Sequence, residues 1–354
     1  MNKLASIFIA ICLSLGLYHE LRICGFPRLE DGNGYNWFMF TKDYRPDYRT
    51  PANWESRSFA CHISSMWFAL WNKPSIAVKM PADDENRGVV WNVEEQNRVC
   101  AMIASYHALF FLMTCGLLII FLDNPIIPML GTFASILGCS PAFFSPYLMP
   151  WDLPTMMVWT FIALLYMRKP STLYQWLFLC ALIVVGGLLK ETVLVTALFL
   201  LGAPWKLWQR IVAVAAIVVA SQLLNWLICG APPDWMFSIK GINVSGQPHW
   251  NPLYLWPVLL TNGGSLSLMP WLLWKRKDLP LALACGAFIC LNAAGFMNTG
   301  YFDELRDWLE LAPLGWVLIS SYTKGRISIS GPVEMSLQPI RAQKETPPEK
   351  INQG

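Results

Sequence analysis

Four short runs place ionisable side chains among apolar neighbours: Glu30-Asp31 in LEDGNGY, Asp152 in PWDLP, Lys190-Glu191-Thr192 in LLKETVL, and Asp303-Glu304-Leu305-Arg306 in YFDELRDWLELAPL. A carboxylate beside a hydroxyl group can take its proton, and a guanidinium or ammonium can hold a phosphate through charge-assisted hydrogen bonds. Together these capacities suit transfer of a group from a phosphate leaving group to a hydroxyl. Each run also has a purely structural explanation. Asp152 precedes Pro154 at a helix start, where N-capping and the helix dipole favour an acid. Lys190 and Glu191 can pair in a hairpin between two helices. Asp303, Glu304 and Arg306 can cap an exposed helix end, and Glu30-Asp31-Gly32 reads as a turn.

The elements that must position these residues are set by composition. Only 14% of the 354 residues are charged, 55% are hydrophobic and the mean hydropathy is +0.40, against about 25% charged in soluble chains. Such a chain belongs in a bilayer. The net charge of +3, from 26 basic and 23 acidic residues, comes with no basic block beside stacking aromatics, which excludes a nucleic-acid partner. Of the ten cysteines, Cys12, Cys115, Cys180, Cys285 and Cys290 lie in apolar runs, where a thiol behaves as a small buried hydrophobe. No cysteine spacing suits zinc, so no metal ligand is assigned; dependence on a divalent metal is left open.

A spanning helix needs about 20 apolar residues, and such runs, some short or broken by proline, occur near 4–18, 101–122, 125–139, 152–167, 173–189, 191–204, 210–229, 253–274, 279–297 and 308–322. The first is read as an uncleaved helix, since no small-x-small cleavage site precedes Tyr18, His19 and Glu20. With the N-terminus in the cytoplasm, Lys3, Arg168, Lys169, Lys206, Arg210, Lys275, Arg276, Lys277, Lys324 and Arg326 fall on the cytoplasmic side. Short loops on the other side carry only Lys190, Lys240 and Arg306, the asymmetry that fixes orientation. One missed or invented span would invert this alternation from there onward. All four charged runs then lie on the outer side.

The expected fold is all-α: a polytopic transmembrane bundle of about ten helices over 1–322, including a folded extracytoplasmic loop, 19–100, and followed by a polar cytoplasmic tail, 323–354, expected to be disordered. Within the loop, Phe59, Ile63, Met66, Trp67 and Leu70 recur at helical spacing from Ser58 to Trp71, which predicts an amphipathic helix on the membrane surface or against the bundle. A second outer loop, 230–252, carries an Asn243-Val-Ser245 sequon. Outer-side Cys24, Cys61, Cys100, Cys139 and Cys229 are candidates for disulfides whose connectivity spacing does not give.

Glycosyl transfer from a lipid-phosphate donor needs both an outward carboxylate and a cation at the membrane surface. A first helix followed by a large outer loop that opens with an acidic residue near a Gly/Tyr pair, LEDGNGYNWF, resembles the GT-C glycosyltransferases, the polytopic group that includes protein mannosyltransferases and lipid A aminoarabinose transferases. The runs PWDLPTMMVWTFIALLYM, LLKETVLVTALFLL and YFDELRDWLELAPL are similar to segments of small bacterial membrane proteins of this architecture. The resemblance implies that Asp31, with Glu30 beside it, is the catalytic base, which on the glycosyltransferase reading Glu30 or Asp152 would support, and that Asp152, Glu191, Glu304 and Arg306 line a donor cleft. On the glycosyltransferase reading, Arg306 with Lys190 or Arg57 would hold the phosphate. It further implies membrane lipid and a polyprenyl-phosphate-linked sugar as partners, no resident cofactor, and a place in the bacterial inner membrane. The chain is expected to depart from larger members in having fewer helices and no soluble C-terminal domain. A transporter, or a non-catalytic subunit of a glycan assembly system, are the alternatives the charges allow.

Overall fold

The structure is a computed structural model and describes residues 3–24, 58–70, 93–138, 148, 151–229, 278–298 and 305–323. Among them the elements are helical: α1 (Lys3–Cys24), α2 (Ser58–Ala69), α3 (Val93–Phe121), α4 (Ile126–Gly138), α5 (Asp152–Met167), α6 (Leu173–Leu189), the 3-10 helix η1 (Glu191–Gly202), α7 (Leu207–Cys229), α8 (Leu279–Asn298), the 3-10 helix η2 (Leu305–Leu311) and α9 (Ala312–Thr323). The expected segment 253–274 and the tail lie outside the described residues. Both α1 and α3 run further than expected, to Cys24 and back to Val93, so each reaches into the loop assigned to 19–100.

Only Lys3–Ile23, Cys100–Phe121 and Leu207–Ile228 are both long and apolar enough to cross a bilayer, among the described residues. Helices α4, α5, α6 and η1 are shorter; the 16-residue α5 is about 24 Å long at 1.5 Å per residue. Three spans are thus long enough to cross among the described residues, where the sequence predicts about ten, some short or broken by proline. The segment 308–322 is also divided, because Pro313 near the start of α9 has no N–H for the carbonyl four residues earlier, and the chain before it winds as η2.

The short helix α5 lies at the centre, packed against α3, α6, η1, η2 and α9, while α1 packs on α3 and α9 on α4. Its Trp159 is fully buried and meets Phe199 of η1 at 5.9 Å and Phe288 of α8 at 5.8 Å, both edge to face. Such pairs contribute about 0.5–1.5 kcal/mol beyond their buried area. Between α5 and α6 the chain reverses through Lys169 at φ 55°, whose N–H donates to the Tyr166 carbonyl at 2.8 Å. A capping box of Thr172 and Gln175 then starts α6. The glycines at 186 and 187 let α6 approach its neighbours: a Cβ at Gly186 would meet Val158 and Val193, and one at Gly187 would meet Ser221 and Leu194.

The twelve residues of η1 carry the β-branched run Thr192, Val193, Val195 and Thr196, whose side chains crowd the α-helical turn. At about 2.0 Å rise per residue they extend about 24 Å, matching α5 beside them. The tighter winding thus lets a short segment run the depth of its neighbours. Arg210 fixes its far end, donating through Nη1 to the Leu201 carbonyl at 2.8 Å and through Nε to the Trp205 carbonyl at 2.7 Å.

Helix α2 forms as the spacing predicts and packs against α3 and α6. Trp67 Nε1 donates to Ser105 Oγ at 3.2 Å and to the Met102 carbonyl at 3.3 Å, and Ala60 joins Trp151 and Leu189 in one apolar cluster flanked by Phe59 and Ile63. Met66 and Leu70 are 72% and 76% exposed, so the packed stripe is narrower than the sequence suggests. Cys12 and Cys290 are exposed rather than buried, while Cys115 and Cys285 are buried and Cys180 is half-buried. Cys100 is a free thiol, which removes it from the disulfide candidates; the side chains of the other four lie outside the described residues.

Candidate functional site

The end of the bundle under α2 collects charge. Lys190 closes α6 and opens η1 as a single extended residue at φ −160°, ψ 137°, which turns the chain between two helices. Its ammonium meets Glu310 Oε1 at 2.8 Å, with side chains 3% and 1% exposed. Thr192 Oγ1 lies 2.9 Å from Glu310 Oε1 and 2.7 Å from Oε2, so the carboxylate gains a hydroxyl donor beside the ammonium. Two ions out of water are tolerated only with close geometry and further hydrogen bonds. Both are met here, and the cluster ties the α6–η1 junction to η2 across more than a hundred residues of chain.

Asp152 stands at the same end. It is 1% exposed in the first turn of α5, following Trp151, whose cluster includes Leu189 next to Lys190. The N-cap position belongs to Trp151, with no side-chain capping hydrogen bond, so Asp152 stands at the first helical position, where the helix dipole favours an acid. Asp152 on α5 and the half-buried Glu191 on η1 both sit in N-terminal first turns, and Lys190 ends α6, the arrangement that helix dipoles favour.

The opposite end is distinct. Tyr166 Oη donates to Asp278 Oδ1 at 3.1 Å, the Arg168 guanidinium lies 4.1 Å over the Phe121 ring, and Lys169, Lys206 and Arg210 follow in the adjoining turns. The antiparallel order of α5, α6, η1 and α7 thus separates a basic end from one that holds Asp152, Glu191 and the Lys190–Glu310 pair.

Of the residues selected from the sequence, the structure brings Asp152, Lys190 and Glu191 to one end. Lys190 pairs with Glu310, a partner the hairpin explanation did not name. Arg306 belongs to η2, the element that carries Glu310, but its side chain lies outside the described residues, as do Glu30, Asp31, Arg57 and Glu304. Arg57 immediately precedes α2. Glu310 was not selected, although it lies in the apolar segment 308–322, where the cost of a buried charge applies as it does at Lys190. Thr192 carried no separate signal, because a threonine in an apolar helix is ordinary. Comparison of the chain with protein-family models, curated proteins and solved structures finds no match.

Proposed function

We propose that this chain is an integral membrane glycosyltransferase that moves a sugar from a polyprenyl-phosphate donor to an acceptor hydroxyl outside the cytoplasm. It sits in the bacterial inner membrane with both termini cytoplasmic. The observation that supports the reading is the gathering of Asp152, Glu191 and the Lys190–Glu310 pair at one end of the bundle, opposite the basic end. In this reading Asp31 takes the acceptor proton, Glu30 supports it, and Arg306 and Arg57 hold the donor phosphate. Glu304, Asp152 and Glu191 line the cleft. Lys190, whose ammonium already meets Glu310, keeps η2, and with it Arg306, against the α6–η1 junction.

The purified chain in liposomes containing polyprenyl-phosphate sugars tests this directly. Transfer to a hydroxyl acceptor is expected, and Asp31→Asn should lower it by about a hundredfold or more, the usual loss when a positioned base is removed. Glu30→Gln should be milder. Wild-type transfer by Asp31→Asn would end the assignment of the base, and absence of transfer by the native protein across donors would end the enzyme reading.

Transport is the second reading, favoured by polar atoms of Thr155 and Trp159 buried along α5 below Asp152, since polar groups inside a bundle also mark substrate paths. Uptake of a solute into the same liposomes, with no transfer, would select it.

A further inference from the structure

Buried threonines on the membrane helices mostly turn their hydroxyls back on their own helix. Thr114 donates to the Phe110 carbonyl at 2.9 Å, Thr132 to Pro128 at 2.7 Å and Thr160 to Met156 at 2.7 Å, each four residues back as expected in an apolar setting. Thr155 departs from this habit. Its side chain is 0% exposed, and its Oγ1 has no hydrogen-bond partner among the described residues. Trp159, one turn further along α5 and equally buried, has an indole Nε1–H with no partner either. Residues four apart share a helix face, so the two side chains that carry orphaned groups rise from the same face of α5.

The surroundings limit what can satisfy them. The Trp159 ring is clamped edge to face between Phe199 and Phe288, so its N–H is fixed in direction. An indole N–H only donates, whereas a hydroxyl both donates and accepts; the shared ligand must therefore offer a lone pair, which excludes a metal cation or an ammonium. Asp152 lies one turn before Thr155 on the same face, and a carboxylate there disfavours an anion. What remains is a small neutral oxygen.

We propose that Thr155 and Trp159 together hold one ordered water inside the bundle, a site for a neutral oxygen ligand on the face of α5 below Asp152. The water accepts from Trp159 Nε1–H and exchanges a hydrogen bond with Thr155 Oγ1, which accounts for the hydroxyl that forgoes its own helix. Buried waters with two or more polar partners are integral to a fold. The site extends the polar character of the Asp152 end into the aromatic core, and it stands independently of the glycosyl-transfer reading.

The test uses the full chain in lipid nanodiscs with its indole nitrogens labelled. The Trp159 resonance is assigned by its loss in Trp159→Phe. In the native protein a magnetisation-transfer cross-peak between the Trp159 indole proton and water is expected, and in Thr155→Val it should fall several-fold. Thr155→Val should also lower the thermal midpoint by about 2–4 °C, the shift expected when one hydrogen-bonded partner is removed from a chain of this size. An orphaned hydroxyl replaced by a methyl of similar shape would instead leave stability unchanged or raise it. A native indole proton without a water cross-peak, or a Thr155→Val midpoint equal to or above native, would overturn the proposal.

Discussion

Removing the ammonium at position 190 leaves the Glu310 carboxylate buried and deprived of its cation. Breaking a buried pair from one side costs about 3–5 kcal/mol, so Lys190→Met should destabilise the protein by that amount in denaturant unfolding in detergent. The double variant Lys190→Met with Glu310→Gln should recover much of the loss, because no uncompensated charge remains. Additive losses in that cycle would show that the two side chains act independently despite the 2.8 Å contact. The sequence exposes half of this pair. Lys190 between two apolar runs is conspicuous, whereas Glu310, flanked by Leu309 and Leu311, becomes conspicuous only when the short segment around it is seen to be buried. Which carboxylate Lys190 chooses is decided by η2 packing on α5, and no local pattern encodes that contact.

At the scale of elements, glycines separate packing from propensity. A Cβ at Gly131 of α4 would enter the Trp316 ring of α9, and that ring is held by Nε1 donating to Ser135 Oγ at 3.1 Å. Gly131→Ala should therefore cost about 1–3 kcal/mol through overpacking. A Cβ at Gly116 of α3 would meet nothing within 4 Å, so Gly116→Ala should be neutral or stabilising by about 0.5–1 kcal/mol through helix propensity. Thermal unfolding of the two variants side by side checks both, and equal effects would contradict the packing of α9 on α4. Hydrophobic periodicity and the Pro and charge boundaries give helices close to their observed limits: 125–139 was expected for Ile126–Gly138 and 173–189 for Leu173–Leu189. Winding is another matter. The 3-10 winding of Glu191–Gly202 gives it the depth of α5 beside it, and an apolar run reads alike in either form.

For the molecule as a whole, the separation of a basic end from the Lys190–Glu310 end carries an expectation about orientation. In single-cysteine variants, an impermeant reagent applied to intact cells should mark Ser245→Cys and spare Ser171→Cys, which lies exposed in the turn between α5 and α6. The reverse pattern would invert the orientation and remove the outer-face site with it. A second expectation concerns α2. Trp67→Ala should release it from α3 by removing the contacts to Ser105 and Met102, at about 3–5 kcal/mol for a packed aromatic, measurable as faster proteolysis of the segment 58–70. Unchanged proteolysis would show that the remaining apolar contacts hold α2 alone.

The amino-acid sequence by itself determined the helical class, the apolar segments, the sides on which Lys and Arg gather and the amphipathic α2, because each depends on local periodicity and on the cost of placing charge in an apolar phase. Tertiary structure decided the rest. It set how far α1 and α3 continue, to Cys24 and back to Val93. It gave Lys190 the partner Glu310, with Thr192 between the same elements. It also buried Thr155 and Trp159 against a face that their composition does not distinguish. These outcomes depend on residues far apart in the chain meeting at fixed distances, and such meetings are set by the packing of α5, η1 and η2 together, which no single stretch of sequence specifies.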